Sequence, residues 1–160
     1  MFDGADKVFD CDAILNRIKR IEAFAKSIGL LTVYLQHAGE PGSPEEYGSE
    51  TWKLHPGLSI NGEVIGKRKL EAFESTKLND VLKENKIEQV IICGMQSDHC
   101  VSANCKASVE HGYKTVLVTD AHSTCDSEAM SGKEVIAFVN EELKGISNLL
   151  TITTDLLLAS

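Results

Sequence analysis

The sequence predicts an α/β layered fold built on a parallel sheet, and three observations carry that reading. Short apolar runs rich in β-branched residues alternate with stretches of helical periodicity. Such alternation marks strand, helix, strand units, whose parallel strands need a crossover helix between them. No internal repeat, linker or low-complexity tract breaks the pattern, so the 160 residues with 42% hydrophobic content are expected to form one domain, 1–160, around one ordinary core.

Asp12 to Ser27 carries Ile14, Ile18, Ile21, Phe24 and Ala25 at helical spacing, and Gly29 is a ready stop. Asp10 and Asp12 stand at its start, where a carboxylate caps free amides or complements the helix dipole. Leu30 to Gln36 reads as a buried strand ending in the polar His37. The proline- and glycine-rich connection from Ala38 to Asn61 is far longer than the usual ~2–6 residues, and such loops often carry function. Glu63 to Gly66 is a short strand, Ser75 to Asn85 a helix with Leu78, Val81 and Leu82 inward, and Gln89 to Gly94 an apolar strand. Ser102 to Ser108 is a helix that Gly112 ends. Thr115 to Thr119 is a further apolar strand, Ser127 to Leu143 an amphipathic helix, and Leu149 to Thr153 a last, weaker strand.

Charge and composition argue against several classes. A net charge of −8 repels phosphate backbones, and the one basic cluster, Lys67-Arg68-Lys69, is too small to outweigh it, so no nucleic-acid partner is expected. No stretch approaches the ~18 apolar residues of a membrane span. The opening Met1-Phe2-Asp3-Gly4 lacks a basic and then apolar signal, so a cytoplasmic location is expected. Five cysteines, at 11, 93, 100, 105 and 125, are an odd number and are read as reduced thiols. His37, His55, His99, Cys100 and Cys105 show no tight ligand spacing, so neither a metal nor another cofactor is expected.

Chemistry concentrates in two segments. Gly94 to Val101 follows the run Gln89 to Cys93 and leads into the helix from Ser102, which places Cys100 where a strand hands over to a helix. Unpaired amides and the dipole there bias a thiol toward thiolate, the form that attacks carbon, and can hold a developing oxyanion. A free cysteine is equally a small buried hydrophobe, and spacing alone leaves both readings open. Lys67 lies just past another strand, and sites in parallel sheets form beyond the carboxyl ends of strands.

The order Lys67, Ala72-Phe73, Thr76 and Leu78, then Gly94-x-x-Ser97-x-x-Cys100-Val101, Gly112-Tyr113 and Asp120-Ala121-His122-Ser123 resembles the isochorismatase-like cysteine hydrolases from about Val8 onward. The resemblance implies a three-layer α/β/α, Rossmann-like fold and a triad of Asp, Lys and Cys. Carried onto this chain, Cys100 is the nucleophile and Lys67 its charge partner, with a covalent intermediate resolved by water. It further implies a cis peptide between Met95 and Gln96 that aims the amides of Gln96 and Cys100 at the oxyanion. His37, Trp52 and Phe73 become pocket residues, Asp120 a brace for the active-site loops, and a homo-oligomer the expected assembly. Asn104 and Lys106 stand where relatives often have Thr and Arg.

Two departures matter. Nicotinamidases of this superfamily carry Asp-x-His and a further His after the second family strand; here that region reads Tyr34-Leu35-Gln36-His37-Ala38, so the metal triad is missing. Family members also begin with a central strand ending in Asp-x-Gln, whereas this sequence begins at the segment after it. The resemblance thus favours a natural start upstream of Met1, with Asp3 and Asp6 as the nearest substitutes for the acid. The leading expectation is a metal-independent hydrolase of a small amide or related C–N substrate. The alternatives are an isochorismatase cleaving a vinyl ether, and a catalytically impaired relative serving as a binding or oligomeric protein.

Overall fold

The computed structural model of the protein describes residues 7–43 and 45–159. In chain order the elements are α1 (Cys11–Ser27), β1 (Val33–His37), β2 (Glu63–Lys67), α2 (Leu78–Glu84), β3 (Gln89–Met95), a π-helical turn (Ser97–Val101), α3 (Ser102–Glu110), β4 (Lys114–Ser123), α4 (Gly132–Lys144), β5 (Leu149–Ile152) and α5 (Thr154–Leu158). All named strand pairs are parallel, as the alternation requires.

The strands form two sheets, β1-β2 and β3-β4-β5. Among the described residues no ladder joins β1 to β3, so the sheet is divided where the expected central strand would lie. In the first sheet Val33 opposes Glu63 and His37 opposes Lys67. In the second, the register shifts between Ile92 and Gly94, so that Gly94 opposes His122 and Met95 opposes Ser123. Gly94 holds φ at 120°, a conformation that a side chain would resist, and this permits the bulge that redirects the strand end.

Alternation along the strands sorts the side chains into two faces. Val90 and Ile92 of β3 face α2, α3 and α4. Val90 joins Ile65, Phe73, Leu82, Ala107 and Tyr113, while Ile92 joins Val101, Leu117, Val139 and Leu143. Ile91 and Cys93 face the other way, onto Ile21 of α1 and Leu157 of α5. Helices on both faces make the arrangement three-layered. Beyond the polar contacts around Lys67, Cys100 and Asn104, two features hold the sheets together. The first is the cluster of Ile65, Ala72, Phe73 and Tyr113, which also takes up Val33 and Leu35 of β1. The second is α1, whose Ile21 packs near β3 while the Glu22 carboxylate accepts from the Tyr34 hydroxyl of β1 at 2.5 Å.

Several elements depart from the sequence expectation: β1 begins at Val33 instead of Leu30, and α2 at Leu78 instead of Ser75. β4 continues past Thr119 to Ser123, because the bulge in β3 lets pairing resume. α4 begins at Gly132 instead of Ser127. Ser127 folds into a turn on Met130, and Ser131 with Glu134 forms a reciprocal cap at the helix start. α5 was not expected; the Thr153 hydroxyl caps it by accepting from the Leu156 amide.

Candidate active site

The carboxyl ends of β2 and β3 bring Lys67 and Cys100 together. Lys67, only 4% exposed, donates through Nζ to the carbonyls of Lys69 and Leu70 at 2.9 Å each and to Cys100 Sγ at 3.0 Å. Those three bonds use all the hydrogens of the ammonium. None of the ion pairs found among the described residues involves Lys67, so the sulfur is the acceptor best able to carry a compensating negative charge.

α3 starts at Ser102 as expected, and Cys100 lies between strand and helix, inside a π-helical turn that the sequence did not announce. The Met95–Gln96 peptide is cis and precedes that turn. The carbonyl of Gln96 accepts from the amides of Val101 at 3.0 Å and His99 at 3.3 Å, closing the turn on itself. Gln96 Nε2 reaches the thiol of Cys125 at 3.5 Å. Asp98 ties the turn to the end of β4, its carboxylate accepting from Thr124 Oγ1 at 2.8 Å. Burial opposes ionisation of Asp98, but the hydrogen bonds and the neighbouring His99 outweigh it and hold the carboxyl below its usual range.

Asn104 is the clamp that sequence reading registered only as a departure from relatives. It is buried one turn below Cys100. Its Nδ2 donates to the carbonyls of Cys100 at 2.7 Å and Leu70 at 3.0 Å, and its Oδ1 accepts from the Ala72 amide at 2.9 Å. The segment that holds Lys67 is thereby stitched to the helix that follows Cys100. An i, i+4 bond from a polar residue at a helix start was the one available signal in the sequence.

The remaining candidates separate. His37 ends β1 opposite Lys67; its Nδ1 is buried with no partner among the described residues. Burial, and then the charge of Lys67, pushes its pKa down, so the ring is neutral. Trp52 shares that edge, its carbonyl accepting from Gln36 Nε2 at 2.7 Å and its own Nε1 buried without a partner. Phe73 is placed in the core, stacked on His111 at 5.1 Å and tilted against Tyr113, instead of lining a cleft: the apolar pull of α2 and α3 decides its side. Asp120 braces α1 and α5 and not the active-site loops, with Oδ1 accepting from the amide and hydroxyl of Thr154 and Oδ2 at 3.5 Å from Arg17 Nε. Asp10 stands at the cap position of α1 without a side-chain cap bond, at 3.7 Å from Arg17, and Asp12 lies in the first turn. Asp3 and Asp6 lie outside the described residues.

Burial pushes the thiols of Cys93 and Cys105 up to about 12, which leaves them as thiols near neutral pH. Among the described residues no three His, Cys, Asp or Glu side chains gather as metal ligands, and no helix is long and apolar enough to cross a membrane. A buried cation touching a sulfur, at the end of parallel strands and beside a tightly turned backbone, suits nucleophilic attack on a carbonyl.

Sequence and fold are both similar to those of known proteins. A family model described as the isochorismatase domain matches residues 1–139. A streptothricin hydrolase of Streptomyces noursei is 32% identical over 133 residues, covering 81% of this chain and 52% of that protein. The chain therefore spans about half the length of that curated relative. Of the solved structures, an isochorismatase from Pseudomonas putida superposes with a TM-score of 0.86 at 24% identity, covering 96% of this chain and 82% of that one. N-carbamoylsarcosine amidase from Thermoplasma acidophilum superposes with a TM-score of 0.75 at 18% identity, covering 90% and 84%.

Proposed function

Because this chain belongs to the isochorismatase family of hydrolases, we propose that it is a metal-independent cysteine hydrolase of a small amide or related C–N substrate, with Cys100 as its nucleophile. The observation that carries the proposal is the 3.0 Å contact between the buried Lys67 ammonium and the Cys100 sulfur. A cation at that distance makes a charge-assisted hydrogen bond to the sulfur that attacks. The thiolate attacks the carbonyl carbon, a C–S bond forms, and the carbonyl electrons move to oxygen, where the backbone amides of Gln96 and Cys100 serve as donors. Collapse of that adduct breaks the C–N bond, and the departing amine takes up the proton that the Cys100 thiol gave up. Water then attacks the thioester, releasing the acid and restoring the thiol. His37 and Trp52, whose Nδ1 and Nε1 are buried and unpartnered among the described residues, are the groups assigned to orient the substrate.

The family resemblance assigns proton shuttling to an aspartate on the strand between β1 and β3, where the described sheet is divided. That division supports a second reading, a weakly active relative that binds instead of turning over. A homo-oligomer is proposed on the exposed Phe138, Leu150 and Leu156, to be read by light scattering. The deciding experiment follows ammonia release from a panel of small primary amides and N-carbamoyl compounds by the protein and by Cys100→Ala. The hydrolase reading expects turnover that vanishes in the variant while the melting temperature holds. Turnover that survives the substitution overturns it, and no turnover with saturable amide binding supports the second reading.

A further inference from the structure

Behind the turn that carries Cys100 lies a second group of buried polar side chains: Ser97 and His122, both 0% exposed, and Asn140 of α4. Their bonds run in one direction. Asn140 Nδ2 donates to the Thr119 carbonyl at 3.1 Å, so its Oδ1 is the atom that faces His122 Nε2 at 2.9 Å. An oxygen there requires Nε2 to carry the ring hydrogen. In a neutral ring Nδ1 is then a bare lone pair, and the Ser97 hydroxyl at 2.8 Å must donate to it. Burial favours that neutral ring, holding its pKa down even though Asn140 and Asp120 act the other way.

The placement has a sequence cause. The bulge between Ile92 and Gly94 brings His122 opposite Gly94, so the ring sits beside the strand end that feeds the turn. Ser97 is the first residue of that turn and Cys100 lies three residues on. At the far end of the turn Asn104 and Lys67 hold Cys100 itself; at the near end the tether from Asp98 to Thr124 is only partly buried and open to exchange with water, whereas nothing can replace a buried bond between Ser97 and His122.

We propose that His122 is a positioning residue for the nucleophile: by accepting from Ser97 and donating to Asn140, it fixes the turn and with it the place of the Cys100 sulfur beside Lys67. This rests on the reading of Cys100 as the nucleophile. A side chain that merely fills space behind the turn has different consequences, because the two halves of the imidazole can be imitated separately. Asn at position 122 offers an oxygen near the place of Nδ1 and gives up Asn140. Gln reaches the place of Nε2 and gives up Ser97.

The test is alkylation by iodoacetamide at neutral pH, read at Cys100 by peptide mass spectrometry, with melting followed in parallel. His122→Asn should label within about twofold of the parent, and His122→Gln and Ser97→Ala roughly threefold to tenfold more slowly, the worth of one hydrogen bond. Adding His122→Gln to Ser97→Ala should deepen the loss no further, since both remove the same bond. Space-filling predicts the opposite order, because Asn leaves the larger void and melts lower. Labelling in that order, or equal in all variants, overturns the proposal. Should neither substitution at 122 fold, Ser97→Ala decides alone, since it removes a single oxygen. Failure of the nucleophile reading shows itself differently, as a parent protein whose Cys100 labels no faster than its Cys11.

Discussion

Replacing Lys67 by Met keeps the length of the side chain and removes its charge and all three of its hydrogens, so it isolates what the ammonium does for Cys100. The bond lost to sulfur is charge-assisted and 3.0 Å long, a class worth about 1.5–3 kcal/mol. At about 1.4 kcal/mol per factor of ten, the rate at which the Cys100 sulfur is alkylated should fall by about tenfold to a hundredfold. Stability should move much less. The carbonyls of Lys69 and Leu70 lose a donor, but a cation no longer has to be buried, and these contributions oppose one another. Melting should therefore shift by only a few degrees in a domain of this size. The assay is the second-order rate of iodoacetamide labelling at Cys100 against that at Cys11, for both proteins at one pH. A Cys100 rate within threefold of the parent would refute the reasoning, and Lys67 would then be a buried cation with no bearing on the thiol.

Three further outcomes follow from the same contacts. Asn104→Ala removes three hydrogen bonds at about 1 kcal/mol each and should lower the melting temperature by about 6–12 °C; a shift under about 2 °C would show that the clamp is dispensable. His122 and His37 are both held below the ordinary value of 6.5, chiefly by burial, so the unfolded chain takes up these protons first and stability falls as pH drops below about 6.5. Urea melts between about pH 7 and 5 should show that decline, shallower in His122→Asn, and an identical slope in both proteins would contradict the assignment. A version of the chain extended at its N-terminus by an apolar strand ending in Asp-x-Gln, as long as the five residues of β1, should melt higher and hydrolyse amides faster than the chain as it stands. Equal behaviour at both lengths would mean that the gap between the sheets is already satisfied.

Much of the fold was legible because its signals are local. α1 announces itself through five apolar residues at helical spacing, and β1, β2, β3 and β5 through short runs bounded by breakers. Cys100 and Lys67 were legible through motif order, and their contact follows from parallel strands ending on one side. What escaped is what depends on long-range pairing. His122 is 25 residues from Ser97 and 18 from Asn140, and only a register shift in β3 brings them together. Asn104 meets Leu70 and Ala72 across 34 and 32 residues. Phe73 is seen packed against His111 and Tyr113, contacts that a motif position alone does not announce.

The division of the sheet puts Lys67 and the proposed nucleophile, Cys100, on different sheets. Lys67 ends a strand of one sheet and Cys100 follows a strand of the other, so the distance between them works as a gauge of how the halves are seated. A small hinge-like movement between β1-β2 and β3-β4-β5 registers at the sulfur before it registers in either sheet. The fasteners that resist it are few: Asn104, the contact of Glu22 with Tyr34, and the cluster around Phe73 and Tyr113. Loosening Tyr113, which touches neither Lys67 nor Cys100, would spread the jaws of the site while leaving each jaw intact. On the proposed reading of Cys100, reactivity is a property of alignment across a seam as much as of the residues on either side.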